Sequence, residues 1–544
     1  MRALLPPRPP RGRGRDLERL AGTPWDLLVV GGGASGASVA LEAARGGLSV
    51  ALVEQDDIAS GTSSRSSRLI HGGLRYLAQG ELALVREGLD ERKRLLREAP
   101  GLVRPVSFLY PVYRGDPDGL AKVDLGLWIY DFLSLGDGLG FHRRWSARRV
   151  HRQLPALRGQ GLRGALRYRD AATHDARLTL AVAIAAAGAG ALVAPRCRAV
   201  RLARAGDGGI ELEIEDRIGG TQLTVGARKV LLACGPWPDF QSDRAPIRTA
   251  RGSHIAFSAG RLRLPAFLAL RSPDDGRLAF AMPTGAYTVL GTTDVDDPRP
   301  PSEAAPTGDD VAYLLRLARH AFPHARLEAT DLTGAWAGLR PLLAEPGTAN
   351  PDLLSRRHRI LETEPGVFVL QGGKLTTHRR MAEDTLARIE GRATRPRPPH
   401  RALLSGSLAE GAAVLRRLGT KPADVEELEG LYGARLDRLA ERAEAGSSTV
   451  DLEERILRAQ IELAVDEEWA CALDDLLLRR LAPGPLNLRA AMRLAPWAAE
   501  LMAERLDWSE GERERQCEDF LAAVGEEMRG AGLEEKPAPN PLHA

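Results

Sequence analysis

The glycines Gly31, Gly33 and Gly36 stand in the run Gly31-Gly32-Gly33-Ala34-Ser35-Gly36, directly after the apolar stretch Asp26-Leu27-Leu28-Val29-Val30. An Ala-rich helical pattern continues to about Gly46, and a second apolar stretch, Ser49–Val53, ends in Glu54. Strand, glycine turn, helix and strand in this order form a βαβ unit built to hold a dinucleotide. Gly31 permits the tight turn, Gly33 lets the backbone approach a pyrophosphate, and Gly36 lets helix and strand pack closely. Ala34 and Ser35 sit at the helix start, where unpaired N–H groups and the positive dipole end attract phosphate. Glu54 closes the unit at the position where a carboxylate accepts hydrogen bonds from an adenosine ribose.

The segment after Glu54 distinguishes FAD from NAD. In place of further βα units there is a loop rich in Ser, Thr and Gly, Ala59-Ser60-Gly61-Thr62-Ser63-Ser64-Arg65-Ser66-Ser67-Arg68, leading into Leu69-Ile70-His71-Gly72-Gly73-Leu74-Arg75-Tyr76. Small hydroxyl residues and glycines suit close backbone approach to a large flat ligand. Far downstream Val367-Phe368-Val369-Leu370-Gln371 reads as a strand, after which Gly372-Gly373-Lys374-Leu375-Thr376-Thr377 opens a helix to about Glu390. That helix N-terminus can stabilise negative charge on a reduced flavin. It is not a phosphate-binding P-loop, because Phe368 stands where the first glycine would be. The cofactor expected is FAD.

Together these stretches resemble the FAD-dependent, quinone-linked aerobic glycerol-3-phosphate dehydrogenases. The resemblance is carried by Val30–Gly36, Thr62–Leu77, Ala233-Cys234-Gly235-Pro236-Trp237, Arg251-Gly252-Ser253-His254, Gly291-Thr292-Thr293-Asp294-Val295, Gly338-Leu339-Arg340-Pro341-Leu342 and Gly372–Thr377. Val465-Asp466-Glu467-Glu468-Trp469 and Asp474-Asp475 extend it into the C-terminal part, so that it spans about residues 24–510. Arg68 departs from the family's Lys, Leu232–Gly235 from Asn-Ala-Thr-Gly, and Gln371 from Phe.

The resemblance implies oxidation of sn-glycerol 3-phosphate to dihydroxyacetone phosphate, with electrons passed to ubiquinone or menaquinone at a membrane surface. It implies a peripheral protein on the inner face of the cell membrane and a homodimer. It places Thr62, Ser63, Ser64, Leu69, His71, Gly72, Gly73, Gly373, Lys374, Leu375 and Thr376 around the cofactor, with Cys234 and Gly235 near the flavin and the backbone of Val200 at the adenine. Arg75, Arg340, Arg356 and Lys374 correspond to substrate-side cations, and Tyr76 completes the pocket wall. A phosphate dianion needs several such donors, best supplied by the planar Arg fork. Oxidising an alcohol also needs a base for the hydroxyl proton. His254 is the first candidate, His71 the competitor, and Arg340 or Lys374 could lower the alkoxide's energy. The rivals are an oxidase using O₂, an FAD amine or 2-hydroxy-acid oxidoreductase, and a flavin-binding scaffold without turnover.

Positioning these residues takes several units. The chain has 544 residues, 44% hydrophobic and 27% charged, as expected for a globular protein with more than one core. Almost all of its 75 basic residues are Arg, yet the net charge is only +3 and no long basic block occurs, so nucleic acid is not an expected partner. Cys197, Cys234, Cys471 and Cys517 are scattered, which excludes a disulfide framework and points to a reducing, cytoplasmic compartment. No metal is expected: His320 and His324 have helical spacing, but Pro323 stands between them. No secretory signal or membrane-spanning run is read, and Leu178–Ala194 reads as a buried helix turning into a strand.

The expected fold is α/β: an FAD-binding Rossmann-like domain of the glutathione-reductase/amino-acid-oxidase type, a β-rich substrate domain and an all-α C-terminal domain. The boundaries read are a disordered Arg/Pro-rich arm over 1–23, the FAD domain over 24–240 plus 341–395, the substrate domain over 241–340, a helical domain over 402–525 and a tail over 528–544.

Overall fold

A computed structural model describes residues 12–78, 80–206, 208–237, 247–343, 357–391, 402–482 and 484–533. Two sheets organise them. The first has eight strands, with the path His358–Glu364, Val367–Gly372, Gln222–Leu232, Trp25–Val30, Val50–Val53, Leu192–Ala194. From Val367–Gly372 to Leu192–Ala194 the strands run parallel, so each can be buried on both faces. Trp25–Val30 and Val50–Val53 are accordingly almost uninterrupted apolar sequence. The helices Ala34–Arg45, Asp175–Gly188 and His378–Glu390 cover one face through Val39, Ala40, Val182, Ala183, Met381 and Leu386. The antiparallel strands Cys197–Arg204 and Ile210–Asp216 extend the sheet from Gln222–Leu232.

The second sheet has ten strands. Ile247–Ser258 pairs along its length with Leu332–Leu343, and its other neighbours are Tyr287–Gly291 and the short Val295–Asp296. The helix Gly308–Ala321, capped by Thr307 and Asp310, packs behind it with the C-terminal helices, where Phe257, Leu314, Leu332, Ile461, Leu476 and Met502 share one core. The C-terminal region is all helix, as its periodic Leu/Ala pattern predicts.

Three boundaries differ from expectation. Val103–Tyr113 and Leu162–Thr173, read as part of the FAD domain, belong to the second sheet, where Val103–Tyr113 joins Phe267–Arg271 in parallel. That pairing links segments far apart in sequence, which no local pattern reveals. The arm expected over 1–23 is helical from Arg13 to Gly22: Arg13 is buried, and its Nε and NH1 donate to Asp216 Oδ1 (3.1 Å) and to the Pro195 carbonyl (2.9 Å). The stretch read as a tail over 528–544 is helical to Gly530 and buried at Leu533, and residues 534–544 lie outside the described residues. The Pro/Arg linker 392–401 lies outside the described residues.

A buried ionic network fastens the C-terminal domain to the first sheet. Glu468 accepts both arms of Arg177 (2.6 and 3.0 Å) and one of Arg435 (3.1 Å). Burial alone would raise its carboxyl; the two guanidiniums outweigh that and hold it below the usual carboxylate range. Asp57, three residues beyond Glu54, accepts from Arg479 and from Arg480 NH2 (2.7 Å). Glu468 on one side and Arg479 with Arg480 on the other thus hold the helical domain against the cofactor half.

Candidate active site

The turn after Trp25–Val30 has the geometry its glycines predict. Gly31 is left-handed (φ 114°), and a Cβ there would come 2.5 Å from the Ala233 carbonyl oxygen. A Cβ on Gly36 would overlap the Gly31 carbonyl oxygen. Gly33 caps the helix Ala34–Arg45 without a side-chain bond to the first turn. The Ala34 N–H donates to Ser63 Oγ (2.9 Å), which fixes the serine loop against the glycine turn. Glu54 folds back, its two oxygens accepting the N–H of Gly32 (2.6 Å) and of Asp56 (2.9 Å). Burial pushes its carboxyl up to about 7, against the pull of those two donors. Gly36→Ala should therefore purify without flavin, read as the ratio of flavin to protein absorbance. Stoichiometric FAD in that variant would contradict the packing described.

These residues border a cavity of about 340 Å³, in the range of ligand sites. Gly31, Gly33, Ala34, Ser35 and Glu54 line one end. Thr62, Ser63, Leu69, His71, Cys234 and Gly235 continue the wall, and Gly373, Lys374, Leu375 and Thr376 come in from the first sheet's other parallel edge. The cavity thus runs from the glycine cradle at the start of the helix Ala34–Arg45 to a second helix N-terminus. A Cβ on Gly33 would already press Ser63 Oγ at 3.1 Å, so the cradle is shaped for close backbone approach. This donor set fits FAD.

Several expected cofactor residues stand behind the lining. Gly36 lets the helix Ala34–Arg45 pack on the Gly31 carbonyl, and Ser64 donates to the Gly61 carbonyl (3.3 Å). The Gly72 N–H donates to the Tyr130 hydroxyl (2.9 Å), and Gly73, left-handed at φ 83°, makes room for the Tyr76 ring. Val200 does not line the cavity: its side chain is 47% exposed, and Cys197, Arg198 and Ala199 line the wall in its stretch. The pairing of Cys197–Arg204 with Ile210–Asp216 shifts register between Ala199 and Arg201, so Val200 is the extra residue of a bulge.

At the far end the second sheet contributes the chemistry. His254 and Arg340 come from the paired strands Ile247–Ser258 and Leu332–Leu343, and Lys374 and Tyr76 also line this cavity. Arg340 donates through NH1 to Asp294 Oδ1 (2.8 Å) and the Thr293 carbonyl (3.2 Å), and through NH2 to Thr292 Oγ1 (3.0 Å). Gly252 is needed opposite, since a Cβ there would clash with that guanidinium. Lys374 Nζ lies 3.7 Å from the Tyr76 ring centroid, a cation–π contact. The Arg75 backbone is in the helix Leu74–Ala78, but its side chain, like all of Arg356, lies outside the described residues.

His254 is buried, stacked on Trp336 (centroids 5.1 Å, planes 9° apart), and its Nε2 meets Ser67 Oγ at 2.9 Å. Burial, then the charges of Arg340 and Arg68, lower its pKa to about 3, so the ring is neutral at ordinary pH. Ser67 and Trp336 are not singled out by the sequence. Ser67 is one of several hydroxyls in a serine-rich loop, and only the fold selects it.

The family model for "FAD dependent oxidoreductase" matches residues 26–388, and that for "C-terminal domain of alpha-glycerophosphate oxidase" matches 398–513. The chain is 30% identical to the aerobic glycerol-3-phosphate dehydrogenase of Bacillus subtilis, over 93% of this chain and 96% of the relative. Its fold matches the glycerol-3-phosphate dehydrogenase from Bacillus halodurans solved with FAD, with a TM-score of 0.78 and 26% identity over 97% and 99% of the two chains. An L-α-glycerophosphate oxidase from Mycoplasma pneumoniae shares the fold at TM-score 0.55 and 17% identity, over 70% of this chain and 98% of its own. A glycine cradle, a cavity shaped for FAD and these matches along nearly the whole length establish that the chain belongs to the FAD-dependent oxidoreductases, in the family of aerobic glycerol-3-phosphate dehydrogenases.

Proposed function

We propose that the protein oxidises sn-glycerol 3-phosphate to dihydroxyacetone phosphate and passes the electrons to ubiquinone or menaquinone at the inner face of the cell membrane. The observation that carries this reading is the meeting of Arg340, Lys374 and a neutral His254 in the cavity that the glycine cradle opens. Bound FAD supplies a two-electron acceptor for the hydride leaving C2. Gly33 and Ser35 present backbone N–H groups for its pyrophosphate, the Ala34 N–H being taken by Ser63 Oγ, and the Glu54 carboxyl accepts from its ribose.

Arg340, held from three sides by Asp294, Thr292 and the Thr293 carbonyl, binds substrate phosphate with little loss of side-chain freedom. Lys374, steadied by Tyr76, adds a second positive charge that favours developing alkoxide over alcohol. His254 takes the hydroxyl proton at Nε2, on the ring edge that meets Ser67. Trp336 against the imidazole face keeps the ring oriented and water away from it. Atoms balance: one hydride and one proton leave the secondary alcohol, and a ketone remains. Arg75 and Arg356 are proposed as further substrate cations.

Oxygen as acceptor is the second reading, because the C-terminal family match is named for an oxidase. Enzyme reduced anaerobically with glycerol 3-phosphate, then mixed with a short-chain quinone or with air-saturated buffer, separates the two. Fast reoxidation by the quinone and slow reoxidation by O₂ is the expected result. Rapid reoxidation by O₂ with stoichiometric peroxide would make the protein an oxidase.

A further inference from the structure

Two helices begin at the cavity, Ala34–Arg45 at the glycine cradle and His378–Glu390 behind Lys374, Leu375 and Thr376. They lie on the same face of the first sheet and share a core through Ala37, Ala40, Met381 and Ala382. A polar contact crosses this apolar interface. His378 Nδ1 meets Ser38 Oγ at 2.6 Å, and both side chains are buried. Such a pair needs a reason, because apolar residues of similar size would pack there without the cost of desolvation.

Donor counting fixes which atom gives the hydrogen. The Ser38 hydroxyl donates its only hydrogen to the Ala34 carbonyl (2.7 Å), one turn back. Toward His378 it can therefore only accept, so Nδ1 carries the hydrogen of the ring. Burial, then the charge of Arg379, lowers the His378 pKa to about 4, which keeps the ring neutral at ordinary pH. Its Nε2 is buried with no hydrogen-bond partner among the described residues. The imidazole thus makes one directed bond, and through Ser38 that bond reaches the Ala34 carbonyl at the cradle.

The other end of the contact bears on the site. A Cβ on Gly373 would come 2.3 Å from Met381 Sδ, so the turn carrying Lys374 rests on the helix His378–Glu390. The His71 N–H donates to Thr376 Oγ1 (3.3 Å), and Arg379 Nε donates to Glu91 Oε2 (3.0 Å), tying the same helix start to two further elements. The field of a helix dipole falls off within its first turn, so a displaced helix start changes the potential in the cavity.

The structure assigns Ser38 and His378 to a strut between the two helix starts that border the cofactor, and through it a part in setting the reduction potential of the bound flavin. With the strut in place, the N-terminal end of His378–Glu390 and the Lys374 ammonium stay at the cavity wall. Their positive charge there favours the reduced, anionic cofactor over the oxidised one. Ser38 and His378 act through these groups and are positioning residues. The inference needs FAD in the cavity and is independent of the substrate.

The test is the midpoint potential of the full FAD-loaded chain, measured by equilibration with reference dyes, alongside its thermal unfolding. His378→Phe keeps the bulk of the ring but donates nothing to Ser38. It should disfavour the reduced cofactor by about tenfold, a fall of about 30 mV for a two-electron couple. Ser38→Ala strands the Nδ1 hydrogen and should shift the potential in the same direction; if His378→Phe loses FAD, Ser38→Ala decides alone. His378→Asn places an amide N–H near the Nδ1 position. It should lose stability through the void it leaves, yet return the potential toward that of the wild type. That crossed pattern separates positioning from packing, since a potential that merely followed stability would fall in His378→Asn as well. Unchanged potentials in His378→Phe and Ser38→Ala, or a His378→Asn potential displaced as far as that of His378→Phe, would overturn the proposal.

Discussion

His254→Gln should retain FAD with a normal visible spectrum and slow anaerobic flavin reduction by sn-glycerol 3-phosphate by about 10²-fold or more. Gln keeps much of the volume and can still bond Ser67 Oγ, so the site should survive while its proton acceptor is lost. The pH profile carries a second expectation. The folded pKa of His254 is lowered to about 3, from an unfolded value near 6.5, by burial and then by Arg340 and Arg68. Between these values the unfolded chain binds the proton and the folded chain does not, so stability is lost as pH falls from about 6.5 toward 3. Above that window the ring is already neutral, and kcat/KM should show no acid limb near pH 6.5 from this residue. A rate unchanged in His254→Gln would remove it as the base, and His71, which also lines the cavity, would be next to test.

Arg340→Ala should raise KM for glycerol 3-phosphate by about 10²-fold or more, the loss of a charged, forked hydrogen-bond donor to the substrate phosphate. Asp294 would not be stranded, because Arg277 NH2 also pairs with its Oδ2 at 2.9 Å. The glycine cradle of Gly31, Gly33 and Glu54 lies on other elements, so bound FAD should remain stoichiometric. Arg340→Lys should recover only part of the loss, since an ammonium cannot reproduce the fork that bonds Thr292, Thr293 and Asp294 together. Loss of FAD from Arg340→Ala would show that the residue supports the cofactor rather than the substrate.

The parts legible in the sequence are those whose determinants are local. Strand, glycine turn, helix and acid lie within Trp25–Glu54, and Gly31, Gly32, Gly33 and Gly36 are each demanded by a close approach to a neighbouring carbonyl or side chain. Lys374 to Thr376 is legible for the same reason, as a glycine-led turn from strand to helix. The illegible parts are set by distant partners. Val103–Tyr113 alternates like any strand, and only its pairing with Phe267–Arg271 assigns it to the second sheet. Val200 is the extra residue of a bulge with its side chain in solvent, which leaves no mark in an alternating sequence. Arg13 is one charge in a basic arm until the fold brings Asp216 opposite it. Glu468 stands out as part of a motif, but its work depends on Arg177 and Arg435 from two other segments. Arg75 and Arg356 gain nothing from the structure, since the side chain of the first and the whole of the second lie outside the described residues.

The proposed reaction requires this cavity to join FAD to a phosphorylated secondary alcohol. Adding sn-glycerol 3-phosphate to the oxidised protein without oxygen tests it in one step. Immediate bleaching of the flavin absorbance, with dihydroxyacetone phosphate formed in equal amount, is the expected result. Flavin bands that persist would leave the fold and cofactor in place and contradict the assignment of the substrate.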